Sequence, residues 1–233
     1  IFADKDSWTI HQGWDAIDMS SRGSQDDFFQ NVLNGDAFLY EDSIALDSTR
    51  KFLEIRKYGQ KQTVNTGYDE AVKKFANGEA YMFFQGNWAY PMIKKINPDI
   101  DLLFMPFPAY HENQAKVVVK IDATLGVSAS CKHLEAVEQF LDYVFSKNVS
   151  EYYADKAGAY SCIKSVDVED SYAKAFTDSI RSGEFFLEEF AYETEKSDAI
   201  NALFQNFISS PQRDTEKSFL KELNDLLIQQ KGD

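Results

Sequence analysis

A helix-rich α/β fold is what this sequence predicts, on three observations. Apolar residues recur at helical spacing over most of the chain, strand-like runs are short and continuously apolar, and the two kinds of segment alternate. A continuous apolar run is the pattern of a strand covered by helices on both faces. With 233 residues, 44% of them hydrophobic, the chain is long enough to bury roughly 72% of its unfolded surface and so to build a core.

The elements follow in order. Tyr68, Ala71, Val72, Phe75 and Ala76 fall at i, i+3, i+4, i+7 and i+8, predicting a helix behind a cap at Thr66 and stopped by Asn77-Gly78. A strand is expected at 80–84. Asn87 then reads as an N-cap, with Trp88 opening a second helix whose first turn tolerates Pro91, because its N–H groups have no intrahelical partner. Beyond the Asn97-Pro98 turn a strand is expected at 101–105, ending at Pro106. Runs at 116–121 and 125–129 flank a turn-like Asp122-Ala123-Thr124. Leu134, Val137, Leu141 and Val144 make a helical stripe. Asn148 with Glu151 reads as a capping pair for a short helix stopping at Gly158; Asn148-Val149-Ser150 also fits a glycosylation sequon. Ile200, Leu203, Phe204 and Phe207 form a further stripe, and Phe219, Leu220, Leu223, Leu226 and Leu227 a terminal amphipathic helix.

Composition narrows the function. The net charge of −14 argues against partners that need clustered Lys and Arg, namely nucleic acid and anionic lipid. No apolar run approaches the ~18 residues of a membrane span. Ten acidic and three basic residues between Asp167 and Asp198 hold half of that net charge, as a solvated outer face or as a docking patch. Motifs for a catalytic serine, a zinc-binding helix, a phosphate loop or a dinucleotide are missing; His11, His111 and His133 have no metal-ligand spacing. Neither catalytic residues, metal nor cofactor are expected. Cys131 and Cys162 are too few for a disulfide scaffold and lack Cys-x-x-Cys spacing.

Trp88 is the residue of greatest interest. An indole at the first turn of a helix, just past the end of a buried strand, sits where open α/β sheets bind ligands. Its flat apolar face suits the C–H face of a sugar ring. Core packing is the other reading of the same spacing.

The stretch from Tyr68 to Pro108 resembles the extracellular solute-binding proteins of carbohydrate ABC importers, the family that includes maltose-binding protein. The family pattern is Phe-x-x-Gly-x-Ala-x-Met, a strand, then Gly-x-Trp, matched by Phe75, Gly78, Ala80, Met82, Gly86 and Trp88. The likeness continues through Pro106-Phe107-Pro108, Leu125–Ser130 and Gly158–Lys164, where Cys162 replaces the usual Pro; Asp6-Ser7-Trp8 resembles the segment entering the sugar site.

The resemblance implies a type II periplasmic-binding-protein-like fold of two lobes, here the C-terminal lobe with an incomplete N-terminal lobe. Residues 1–107 would belong mainly to the second lobe. Residues 108–182 would cross to pack with the first lobe, and the helices of 183–233 would return to the second. The N-terminal lobe, with its signal and lipid anchor, would precede this chain, and its absence would leave exposed apolar surface. The implied function is capture of a mono- or oligosaccharide, without covalent chemistry, at the extracellular face of the cytoplasmic membrane or in the periplasm. Delivery would be to the ABC transporter's permease subunits. Trp88 would stack on a sugar ring. Trp8 is the second aromatic candidate, with core packing its alternative. Asp122 would accept from sugar hydroxyls, or is an exposed turn residue. Asp6, Ser7, His11 and Gln12 are candidates beside Trp8, and Phe190 and Tyr192 candidates late in the chain. A Cys131–Cys162 disulfide is compatible with that alignment. The rival readings are a binding protein for a peptide, polyamine or other non-sugar solute, a glycoside hydrolase with two facing carboxylates, and an interaction module using the acidic 167–198 stretch.

Overall fold

Ile10, Trp14 and Ile17 recur at spacings of four and three, one face of a helix, and helix α1 (Trp8–Ser21) buries that face. The structure, a computed structural model, describes residues 1–22, 27–108, 116–120, 124–157, 160–166, 174–188, 194–210 and 215–228. Helix α3 (Ser43–Arg56) packs on α1 through Ala45 and Phe52, and α9 (Thr194–Ser209) through Ile200 and Phe204. Helix α2 (Phe28–Asn34) adds Phe29 and Val32; α10 (Glu216–Ile228) adds Phe219, Leu220, Leu223 and Leu227. Phe207 stacks on Phe219 with centroids 4.0 Å apart, and Phe204 meets Phe219 edge-on at 5.0 Å. The first helices of the chain and its last two therefore share one core.

Polar groups around Trp14 and Arg22 in this core are paired. Trp14 Nε1 donates to Thr49 Oγ1 at 2.9 Å, and that hydroxyl donates to the Ala45 carbonyl at 2.8 Å. Arg22 bridges Asp18 and Asp42 at 2.5 and 2.6 Å, while Asp42 also caps α3 by accepting from the Ala45 N–H at 2.7 Å. Burial pushes the Asp18 carboxyl up, against the pull of the Arg22 guanidinium.

A second, smaller core lies between α4 (Tyr68–Ala76) and α5 (Ala89–Ile96), where Val72, Ala76, Ala89 and Ile93 are buried with Phe75, Phe83 and Trp88 against them. Helix α4 stops as its sequence requires. Gly78 takes the left-handed conformation (φ 78°), its N–H donates to the Phe75 carbonyl, and the Glu79 N–H donates to that of Lys74, a Schellman closure. Its start differs from expectation. Thr66 does not cap it; Asp6 Oδ2 accepts from the Tyr68 N–H at 2.6 Å, a cap supplied from 62 residues away. Helix α5 begins one residue later than expected, with Trp88 at the cap position. Helix α7 (Lys147–Ala157) begins at Lys147, which places Asn148 inside its first turn and not at its cap.

The strand expectations need the larger correction. Among the described residues one two-stranded parallel sheet forms, β1 (Val117–Lys120) beside β2 (Phe185–Glu188), in register from Val117 with Phe185 to Lys120 with Glu188. The run at 116–121 thus supplies β1, whereas β2 had no counterpart in the expected elements. Residues 81–86, 101–108 and 124–128 run without ladder partners. Their apolar side chains explain why two-sided burial was the wrong inference. Leu102 and Phe104 are half-buried, whereas Leu103, Met105, Tyr81, Met82, Leu125 and Val127 face outward. Helix α6 (Leu134–Val144) likewise buries none of its residues despite its apolar stripe. Helix α8 (Lys174–Ser182) packs beside β1. Cys131 and Cys162 are both free, so the compatible disulfide is not formed.

Candidate functional site

Asp6 brings the sequence-predicted residues together. Its carboxylate caps α4 from the loop that opens α1, and the Lys5 N–H donates to the Thr66 carbonyl at 3.1 Å beside it. The two helix starts are thereby tied, and the aromatic ring on each meets the other: Trp8 and Tyr68 have centroids 5.3 Å apart. Trp88, at the start of α5, joins them at 6.4 Å from Trp8. Phe83 continues the row, 6.4 Å from Tyr68. Tilted rings at these separations are mutually attractive, so the row is stable without a ligand. Trp8 and Trp88 are each half-buried, which makes the group an open shelf. Two cavities, of about 340 and 550 Å³, lie elsewhere around Arg56 and Ile208, and none of the shelf aromatics lines them.

Three polar atoms on this shelf are buried and have no hydrogen-bond partner: Trp88 Nε1, Tyr68 Oη and Gln12 Oε1. Gln12 follows Trp8 by four residues and so lies on the same face of α1. Leaving a buried donor or acceptor unpaired costs about 1–3 kcal/mol. Burial also pushes the Tyr68 phenol up to about 12, with Asp69 adding to the shift, so it is an un-ionised donor at neutral pH. Lys120, at the end of β1, sets its Nζ 5.6 Å from the Trp88 ring centroid, which brings the C-terminal end of a parallel strand to the same place.

The remaining candidates divide. His11 pairs its Nδ1 with Asp15 Oδ2 at 3.0 Å and stands 6.3 Å from Phe204 of the large core, so its ring is engaged along α1. Ser7 sits at the start of α1 and makes no cap hydrogen bond. Asp6 is committed to α4. Asp122, Phe190 and Tyr192 lie outside the described residues. Tyr68 and Lys120 were not among the candidates. Tyr68 entered the sequence reading as one more position of a helical stripe; its signal was a hydroxyl on the first turn, where a core-facing ring needs none. Among the described residues, no three His, Cys, Asp or Glu side chains gather where a metal ion could sit, and no helix is long and apolar enough to cross a membrane.

The sequence pattern of the bacterial extracellular solute-binding proteins matches residues 10–150, which include Gln12, Tyr68, Gly86, Trp88 and Lys120. The chain belongs to this family. A multiple sugar-binding protein of Streptococcus mutans serotype c is 29% identical over 136 residues, 58% of this chain and 31% of the relative. Among solved structures, the solute-binding protein RafE in complex with raffinose superposes with a TM-score of 0.75 at 21% identity, over 99% of this chain and 61% of that one. A chitin oligosaccharide binding protein gives 0.74 at 17%, over 98% and 60%. The binding protein MsmE of Bacillus subtilis, in an open conformation, gives 0.74 at 15%, over 100% and 60%. The type II periplasmic-binding-protein-like fold is thereby shown for this solute-binding chain, which spans about three fifths of the solved structures and a third of the Streptococcus relative.

Proposed function

We propose that this chain forms the aromatic half of a sugar site in a solute-binding protein that serves an ABC importer. The observation that carries the reading is the set of three unpartnered polar atoms around the Trp8–Trp88 pair. A sugar ring has an apolar C–H face and a rim of hydroxyls. The first suits the indole planes, and the second completes the hydrogen bonds of Trp88 Nε1, Tyr68 Oη and Gln12 Oε1. Trp88 is the stacking residue and Trp8 its flank. Ser7 and His11 stand at the margin, and Asp122 and Tyr192 are retained as candidates. Sugar binding by the relatives supports the ligand class. No hydrolysis is proposed: Asp6, the carboxylate that joins the two helix starts, is spent on the α4 cap, whereas a glycoside hydrolase needs two carboxylates facing a substrate.

An open shelf holds one side of a ligand, so the second wall comes from the other lobe of the whole protein. We place residues 1–107 mainly in the second lobe, 108–182 in the segment that packs with the first, and 183–233 back with the second. The exposed apolar side chains of Leu134, Phe140 and Tyr143 on α6, with Phe145 just beyond it, support that division. The family's extracellular character supports a site outside the cytoplasmic membrane and delivery to permease subunits.

Calorimetry with raffinose, stachyose and a chitin oligosaccharide tests the reading, alongside a peptide and a polyamine. Trp88→Ala is expected to weaken sugar affinity about tenfold or more, as truncation of a stacking aromatic does. Binding of the peptide or polyamine alone, or unchanged affinity in the variant, overturns it.

A further inference from the structure

Gly86 comes closer to a side chain than any other described glycine. A Cβ built on it would lie 2.2, 2.3 and 2.5 Å from Cζ3, Cη2 and Cε3 of Trp88, whereas non-bonded carbons rest about 3.5–4.0 Å apart. Backbone conformation gives no reason for a glycine here, because Gly86, unlike Gly78 and Gly183, has no left-handed φ. The reason is the space. The benzo edge of the indole occupies the volume any other residue would fill, at the point where the Gly86 carbonyl accepts the Ala89 N–H at 3.1 Å and leads the chain into α5.

We propose that Gly86 is a positioning residue for the sugar platform: by lacking a side chain it lets the Trp88 indole fold back onto the chain, and so sets where that ring lies relative to Trp8. The proposal rests on the reading of Trp88 as the stacking residue. A methyl group at Gly86 displaces the ring by more than an ångström. The ring is half-buried and turns about its own side-chain torsions, whereas the backbone is held by the α5 start, so the ring yields first. Stability and ring position then separate. The fold tolerates the change while the platform loses its alignment with Trp8 and with the Tyr68 and Gln12 polar atoms. A sequence reader sees Gly-x-Trp as a turn before a helix; the structure shows it as a seat for the indole.

The test compares the unaltered chain with Gly86→Ala, Trp88→Ala and the double variant. The near-ultraviolet circular dichroism of the Trp8–Trp88 pair, whose centroids are 6.4 Å apart, reports ring position without any sugar. Raffinose is the binding probe. Gly86→Ala is expected to change the indole band, to weaken raffinose affinity ~10-fold, and to leave the thermal midpoint near that of the parent, since misplacing a contact group by an ångström is costly to function. Once Trp88 is truncated, Gly86→Ala should have no further effect on affinity or midpoint. An unaltered indole band in Gly86→Ala overturns the proposal, as does a midpoint loss that persists in the double variant, which would make Gly86 merely structural. If Trp88→Ala binds raffinose like the parent, or if no protein binds it, the sugar-site reading fails. The indole band of Gly86→Ala then still decides whether Gly86 seats the ring.

Discussion

Trp14 and Trp88 stand in two regions that use the same side chain in opposite ways. In the large core, Trp14 is fully buried, ringed by Phe29 and Phe204, and its Nε1 is spent on Thr49, whose hydroxyl is spent in turn on Ala45. On the shelf, Trp88 is half-buried, has Trp8 and Lys120 beside it along with the edge of the small core, and its Nε1 has no partner. Both rings are flat apolar surfaces at helix–helix contacts. What separates a structural indole from a receptive one is whether its polar atom is already paired. A closed polar chain has no use for a ligand, and an open one has a vacancy that a hydroxyl can fill.

The contrast breaks first at Trp14. Trp14→Ala should cost about 3–5 kcal/mol of stability, as large-to-small changes in a well-packed aromatic core do, read as a lowered midpoint in urea. Trp88→Ala should lower that midpoint far less while abolishing most sugar binding; equal stability losses would mean that both rings are core residues. Thr49→Val comes next. It keeps the volume but strands the Trp14 N–H inside the core, for about 1–3 kcal/mol. A smaller loss would show that the Trp14–Thr49 bond does not close the polar chain as drawn.

The same distinction marks how far the sequence could be read. The stripe on α10 (Phe219, Leu220, Leu223, Leu227) and the stripe on α6 (Leu134, Val137, Leu141, Val144) look alike on paper, yet α10 buries its stripe while that of α6 is at most half-buried. Periodicity shows that a face exists; what covers it is a tertiary fact. The runs at 80–84 and 101–105 failed for the same reason, since an apolar run names no ladder partner. Gly78 was legible because its left-handed turn and two closing hydrogen bonds lie within six residues. Asp6 as the cap of α4 was illegible because its partner is 62 residues away. On the shelf, Trp88 stood out by its place at a helix start and Trp8 and Gln12 through family likeness, whereas the importance of Tyr68 appeared only once its hydroxyl was seen to be unpaired.

Tyr68 sharpens the comparison further. Tyr68→Phe removes an unpartnered buried hydroxyl, so the folded chain should be no less stable, while sugar affinity falls about 2–10-fold, the value of one hydrogen bond. Loss of stability without loss of affinity would move Tyr68 from the shelf to the core. Its titration gives a second reading. Burial pushes the phenol up to about 12 in the folded chain against an ordinary value of 10.0, so its titration leaves stability untouched below pH 10 and lowers it as pH rises from there through about 12. Tyr160 is raised to about 12 as well, so the alkaline absorbance of the folded chain should lose one late phenol in Tyr68→Phe while that of Tyr160 remains.

Lys120 carries the smallest effect and the finest distinction. Its ammonium lies 5.6 Å from the Trp88 centroid, within cation–π range, and such a contact at an exposed site is worth about 0.5–1 kcal/mol. In the large core the Trp14 ring is covered instead by aromatic side chains, Phe29 and Phe204. On the shelf the ammonium lies beside the indole, and under the proposed reading a sugar that stacks on the ring has to displace it. Lys120→Met keeps an unbranched flexible side chain and removes the charge, and raffinose affinity should rise by about 2–5-fold. A fall in affinity would mean instead that the ammonium donates to the sugar's hydroxyls, and unchanged affinity that the ring is open without its removal. The sign of this small shift tells whether the free shelf is vacant or provisionally filled by the protein itself.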